Sequence, residues 1–167
     1  NEKCNLLVTN LPEYNAKKFK LVDNMLGSDL TTRFTVTGNR SNGFYNIDNH
    51  PNPTAFAGVL HEGVYGKCAR LSLKGGTETI LKVEYNLTPD LSDYDYVYVG
   101  IYSQTGTATW YWKGADGQTN VATATMEVGQ CKVMKISVED FLNGYLFTDG
   151  GVNGDTYWLT PIIAIAE

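Results

Sequence analysis

No apolar run in the sequence approaches the roughly 18 residues that a bilayer-spanning helix needs, so a soluble chain without membrane insertion is expected. Blocks of like charge are missing as well. The 13 Lys and Arg are interspersed with 18 Asp and Glu for a net charge of -5, which leaves no basic stripe to neutralise phosphates and sets nucleic acid aside as a partner. Cysteine and histidine are scarce: Cys4, Cys68 and Cys131 lie far apart without a CxxC pair, and only His50 and His61 stand ready to join them, too few and too scattered for a zinc centre. Two of the three thiols could bridge in an oxidising compartment, but the odd count leaves at least one outside any intrachain disulfide, and one disulfide or three free thiols both remain open. There is no GxSxG elbow, no HExxH, no P-loop and no glycine-rich dinucleotide fingerprint. Asp90, Asp93 and Asp95 cluster, yet nothing marks one as a buried acid and another as an ionised base, and a solvated turn explains them.

What is present is a chain of 167 residues, long enough to bury a core and read as one domain over 1–167, with 43% hydrophobic and 19% charged residues. Tyr 11, Trp 3 and Gly 17 make a composition of strands and tight turns whose surfaces carry flat rings. That suits a secreted or cell-surface recognition module better than a cytosolic enzyme. No signal peptide is visible and the chain opens on Asn1 rather than Met, which reads as a processed fragment.

Residues 1 to 20 are ambiguous between strand and helix. Thr31 to Val36 alternates as an early strand before the turn residues Gly38 to Gly43, and Asn46 to Thr54, with Pro51 and Pro53, reads as an exposed loop. Cys68 to Lys74 and Thr79 to Tyr85 form a plausible strand pair around Gly75-Gly76. The clearest strand is Tyr94 to Tyr102: Val97, Val99 and Ile101 share one face, while Tyr94, Tyr96, Tyr98 and Tyr102 share the other. Thr107 to Lys113 follows, with Trp110 and Trp112 on one face and Tyr111 on the reverse. Further strands are expected at Ala122 to Val128 and Lys132 to Val138, then a helical turn at Glu139 to Leu142 and one buried terminal strand from Tyr157 to Ala166. At least seven short alternating strands without a long amphipathic helix predict an all-β antiparallel β-sandwich or jelly roll.

Two phrases carry a resemblance. Pro89-Asp90-Leu91-Ser92-Asp93-Tyr94-Asp95-Tyr96-Val97-Tyr98-Val99 is similar to a strand entry common in galactose-binding-like jelly rolls attached to bacterial polysaccharide-degrading enzymes. Gln130 to Phe141 resembles their late strand and turn, and Ile162 to Ala166 their closing strand. The likeness runs from about Tyr65 onward and is of the kind seen in family 11 carbohydrate-binding modules, whereas residues 1 to 60 match no named pattern. It implies a jelly roll, a concave or loop-edge sugar site, frequent structural calcium and no catalysis.

Sugar rings present apolar C–H faces, so proteins hold glycans by stacking flat side chains on them and surrounding them with hydrogen-bonding groups. Candidates are Tyr96, Tyr98 and Tyr102, which would line a groove or else merely cover the sheet. Trp110 and Trp112 would form a platform or else belong to the core. Trp158, beside Tyr157, points outward or inward. Gln104, Lys113, Asp116 and Gln118 flank the aromatic hairpin and could supply polar contacts, as could Asn46, Asp48, Asn49 and His50. The glycine-rich stretch from Asp149 to Asp155, with Asn153, offers oxygen atoms for a structural calcium but lacks EF-hand spacing. Asn39-Arg40-Ser41 and Asn86-Leu87-Thr88 are glycosylation sequons that matter only in a eukaryotic secretory route. The expectation is a non-catalytic carbohydrate-binding module, probing a plant or microbial β-glycan as a monomer beside an attached catalytic domain. The alternatives are a protein-protein or adhesion module of a bacterial surface assembly, which would use the same rings as anchors, and a small lyase or hydrolase on the same scaffold.

Overall fold

The computed structural model describes residues 19–25, 30–37, 41–45, 59–61, 64–65, 68–73, 80–152 and 154–166. In chain order these contain β1 (Phe19–Asp23), α1 (Leu30–Arg33), β2 (Phe34–Thr37), β3 (Ser41–Tyr45), β4 (Val59–His61), β5 (Val64–Tyr65) and β6 (Ala69–Leu73). There follow β7 (Leu81–Tyr85), β8 (Tyr96–Thr105), β9 (Thr109–Lys113), β10 (Asn120–Thr125), β11 (Cys131–Ser137), α2 (Val138–Asn143), β12 (Tyr145–Thr148), β13 (Thr156–Leu159) and β14 (Ile162–Ile165). A seven-stranded sheet has the order β1-β14-β8-β13-β6-β3, with β11 on the far edge of β8; a five-stranded sheet has the order β10-β9-β12-β7-β2; β4 and β5 pair by themselves. Every pairing is antiparallel, and the two large sheets close on one core as an all-β sandwich.

Alternation decides which side chains enter that core. On β8, Val97, Val99 and Ile101 point inward, joined from the neighbouring strands by Leu71, Leu159 and Met134. The five-stranded sheet answers with a cross-strand row of Ala122, Trp112, Leu146, Val83 and Val36. Ala122 and Ala124 oppose Trp112 and Trp110, and those small side chains leave room for two indoles. Trp110, at 0% exposure, meets Tyr157 of the other sheet edge to face at 5.1 Å, and Trp112, at 4%, stacks on Phe141 at 5.4 Å and 18°. Trp112 Nε1 donates to the Asp140 carbonyl at 2.9 Å. The backbone at Gly144 passes so close that any Cβ there would overlap the Lys113 carbonyl oxygen.

Four local expectations are corrected. Residues 30–33 are helical rather than extended, because burial of Leu30 and a two-pronged ion pair between Arg33 and Asp23 override the β-branched Thr31-Thr32. β6 and β7 do not pair with each other. They bring Leu71 and Leu73, and Leu81 and Val83, to the core from opposite sheets. The terminal strand is two strands, since Pro161 lacks an N–H and the Thr160 hydroxyl accepts from Gly100 N at 2.9 Å where the ladder breaks. Trp110 and Trp112 belong to the core rather than to a surface platform. By contrast the helical turn after β11 forms as expected: Ser137 caps α2 by accepting from Asp140 N at 3.2 Å. Gly106, at φ 122°, turns the chain from β8 toward β9 in the other sheet, where a side chain would strike the Tyr157 hydroxyl.

Candidate functional site

The non-core face of the seven-stranded sheet gathers four of the six aromatic candidates, Tyr96, Tyr98 and Tyr102 from β8 and Trp158 from β13, together with Gln104 from β8. Registers arrange them in rows across the strands. One row runs Cys131, Tyr102, Trp158, Arg70, and another runs Lys135, Tyr98, Ile163, Leu21. A third runs Ser137, Tyr96, Ile165, Phe19.

Exposure divides the five. Tyr96 and Tyr102 are half-buried and Gln104 is exposed, while Tyr98 is only 2% and Trp158 4% exposed. The Lys135 ammonium lies 4.2 Å from the centre of the Tyr96 ring, a cation–π contact at the edge of the row. Trp158 packs with Cys68, Tyr102 and Cys131, and its indole N–H donates to Gln104 Oε1 at 2.8 Å. With the oxygen so engaged, the Gln104 amide nitrogen is left to offer donors to a ligand oxygen. Cys68 is buried and outside any disulfide, and burial drives its thiol pKa up, whereas Cys131 is disulfide-bonded. Cys4 lies outside the described residues.

No family model matches the sequence, and no curated protein matches it. Solved structures do. The family 11 carbohydrate-binding module of cellulosomal cellulase Lic26A-Cel5E of Clostridium thermocellum superposes with a TM-score of 0.51 at 14% identity, covering 91% of this chain and 96% of that one. A family 29 carbohydrate-binding module gives a TM-score of 0.49 at 12% identity over 89% and 88% of the two chains. A family 29 variant complexed with mannohexaose gives 0.49 at 10% identity over 89% and 92%. The fold is the jelly roll of carbohydrate-binding modules.

Elsewhere on this jelly roll the other candidates separate. Lys113, Asp116 and Gln118 lie at the five-stranded sheet, away from the tyrosine face. The Asp116 carboxylate is held down to about pKa 2 by the Thr119 hydroxyl first and then by the N–H groups of Thr119 and Gln118, so it serves its own turn. Asp90 is likewise lowered, by the hydroxyl and N–H of Ser92, in an exposed turn. Asp155 is buried and Oδ2 accepts from Val152 N at 3.0 Å, and among the described residues no three His, Cys, Asp or Glu side chains converge as a metal site would require. The Asn86 amide is tied at both ends, accepting from Thr35 Oγ1 and donating to the Thr32 carbonyl. Asn46, Asp48, Asn49, His50, Asn39 and Asn153 lie outside the described residues. No described helix is long and apolar enough to cross a membrane.

Two features of the jelly roll had no counterpart in the sequence reading. An open cleft of about 290 Å³ is lined by Leu21, Val22, Asp23, Asn24, Arg33, Tyr85 and Leu87. At its base the Asp23 carboxylate accepts from Arg33 Nε at 2.8 Å, from the Tyr85 hydroxyl at 2.9 Å and from Met25 N at 2.8 Å. Burial, then the Asp23 charge, raises the Tyr85 pKa. The second is a set of half-exposed rings, Tyr111, Tyr145 and Phe147, on the outer face of the five-stranded sheet. Tyr111 is recognisable as the outward residue between two tryptophans. Tyr145 and Phe147 sit on a four-residue strand too short to leave a periodic signal.

Proposed function

We propose that the protein is a non-catalytic carbohydrate-binding module that holds a polysaccharide, a neutral β-glycan of plant or microbial origin, along the tyrosine face of the seven-stranded sheet. The observation that carries this reading is the convergence of Tyr96, Tyr102 and Gln104 with the Trp158 row on one face whose reverse side is the core. Tyr96 and Tyr102 supply flat apolar faces for sugar C–H groups, and the Gln104 amide, oriented by the Trp158 indole, supplies a hydrogen bond to a hydroxyl. Tyr98 and Trp158 support them from beneath as buried neighbours. Affinity is modest, because a stacked ring contributes only about 1 kcal/mol beyond the area it covers and an open face keeps its water. The family 11 module belongs to a cellulase, and a comparable role for this chain is an extracellular one as a monomeric unit beside a catalytic domain.

Affinity electrophoresis through gels carrying xyloglucan, mixed-linkage β-glucan, xylan, mannan, pectin and starch tests the reading. Retardation in a neutral β-glycan gel supports it. Free migration through every neutral gel, with retention of a cell-surface protein instead, would replace it by the adhesion reading.

A further inference from the structure

The outer face of the five-stranded sheet is a second aromatic surface, built from different strands and independent of the tyrosine face. Register places Thr123, Tyr111, Phe147, Lys82 and Thr37 in one row across all five strands, with Lys113 and Tyr145 side by side in the next. Tyr145 and Phe147 meet edge to face at 6.4 Å, and the Tyr145 hydroxyl is fixed on the Gly117 carbonyl at 3.0 Å. Two ammonium groups stand among these rings. Lys82 Nζ is 4.2 Å from the Tyr145 ring centre, and Lys113 Nζ is 4.9 Å from that of Phe147 and 5.7 Å from that of Tyr111. Lys82 has Glu84 as a partner at 3.5 Å, but Lys113 makes no ion pair among the described residues and only reaches the Gln118 carbonyl at 3.4 Å. Asp116, the acidic neighbour in the adjoining turn, spends its carboxylate on Gln118 and Thr119.

We infer that this face binds an acidic polysaccharide whose sugar rings carry carboxylates. A neutral sugar laid on these rings would offer the ammonium groups only hydroxyl oxygens, weaker acceptors than a carboxylate. A uronic-acid chain offers both halves of what the face presents: C–H faces for Tyr111, Tyr145 and Phe147, and carboxylates for Lys113 and Lys82. The exposed Thr123 and Thr37 hydroxyls lie at the ends of the row, in reach of sugar hydroxyls. An acidic peptide would satisfy the lysines but not the flat rings. The charge match is local, since the chain as a whole carries -5 and would repel a polyanion elsewhere.

The test is affinity electrophoresis of the intact chain through polygalacturonate, fully methyl-esterified polygalacturonate and a neutral β-glucan, with Lys113→Gln, Lys82→Gln, Phe147→Ala and Tyr102→Ala run alongside. Far-UV circular dichroism melts accompany each variant, and the two lysine substitutions, at half-exposed side chains outside the core, keep the test valid even where Phe147→Ala melts early. Polygalacturonate should retard the protein at low salt, and esterification or 0.5 M salt should release it, because screening shortens to a few ångströms. Each lysine substitution should weaken binding about two- to fivefold, the worth of one exposed ion pair. Tyr102→Ala should leave it unchanged. Absence of polygalacturonate binding, equal binding of the esterified chain, indifference to both lysine substitutions, or loss of binding in Tyr102→Ala would each overturn the inference. The neutral-glucan lane reports separately on the tyrosine face, so either surface can fail alone.

Discussion

On the seven-stranded sheet, the rings turned away from the core are largely closed in: Tyr98 and Trp158 are buried, and Ile163 and Ile165 beside them are buried too, leaving Tyr96, Tyr102 and Gln104 as the reachable part of the face. On the five-stranded sheet the arrangement is reversed. Its two tryptophans go inward, while Tyr111, Tyr145 and Phe147 stay half-exposed among lysines. A ring that is buried stabilises the fold through the area it removes from water, and a ring that is half-exposed contributes less there. Side-chain type alone therefore does not separate buried from half-exposed aromatics in this sandwich; at Trp112 and Trp110 the small Ala122 and Ala124 across the strand leave room for the indoles.

The largest effect is expected at the core tryptophans. Trp112→Ala should cost about 3–5 kcal/mol in urea unfolding, the range for an excised core aromatic, with loss of the Phe141 stack and of the bond to Asp140. A loss below about 1 kcal/mol would place the indole outside the core. Close behind comes Arg33→Ala. It strands the Asp23 carboxylate, 3% exposed, between β1 and β7, and breaking a buried pair costs about 3–5 kcal/mol, read by the same denaturation curves. Tyr102→Ala should do the opposite. It should leave stability within about 1 kcal/mol and weaken neutral-glycan binding about fivefold, measured by isothermal titration.

Asp116 gives the smallest effect, and it is a pH effect. Its folded-state pKa of about 2 lies below the roughly 3.9 of an unfolded aspartate. Its contribution to stability is therefore present in full above about pH 4 and is lost as pH falls toward 2. In Asp116→Ala the urea midpoint should fall less steeply than in the parent between pH 5 and pH 2. Identical slopes would mean that the turn does not depend on the ionised carboxylate.

Much of the sandwich was legible in the sequence because alternation is a local signal: β8, β9, β11 and α2 fall where Tyr94 to Tyr102, Thr107 to Lys113, Lys132 to Val138 and Glu139 to Leu142 place them. What was not legible depends on partners distant in the chain. Gly75-Gly76 marks a change of direction but cannot say that β6 and β7 enter different sheets. Thr31-Thr32 looks extended until Arg33 has Asp23 to reach. The five candidates on the tyrosine face came from one strong strand plus Trp158. Trp110 and Trp112 were ambiguous because both faces of β9 carry aromatic residues, so periodicity finds the faces without saying which is inside.

The tyrosine face is tested most directly by nitrogen-15 NMR of the indole groups while a neutral β-glucan oligosaccharide is titrated in. The chain has three tryptophans, and only Trp158, bonded to Gln104 and packed on Tyr102, sits against that face. The Trp158 indole N–H signal should shift with ligand while those of Trp110 and Trp112 stay in place. A titration that leaves the Trp158 indole signal unmoved, or that shifts those of Trp110 and Trp112 instead, would contradict glycan binding on the tyrosine face.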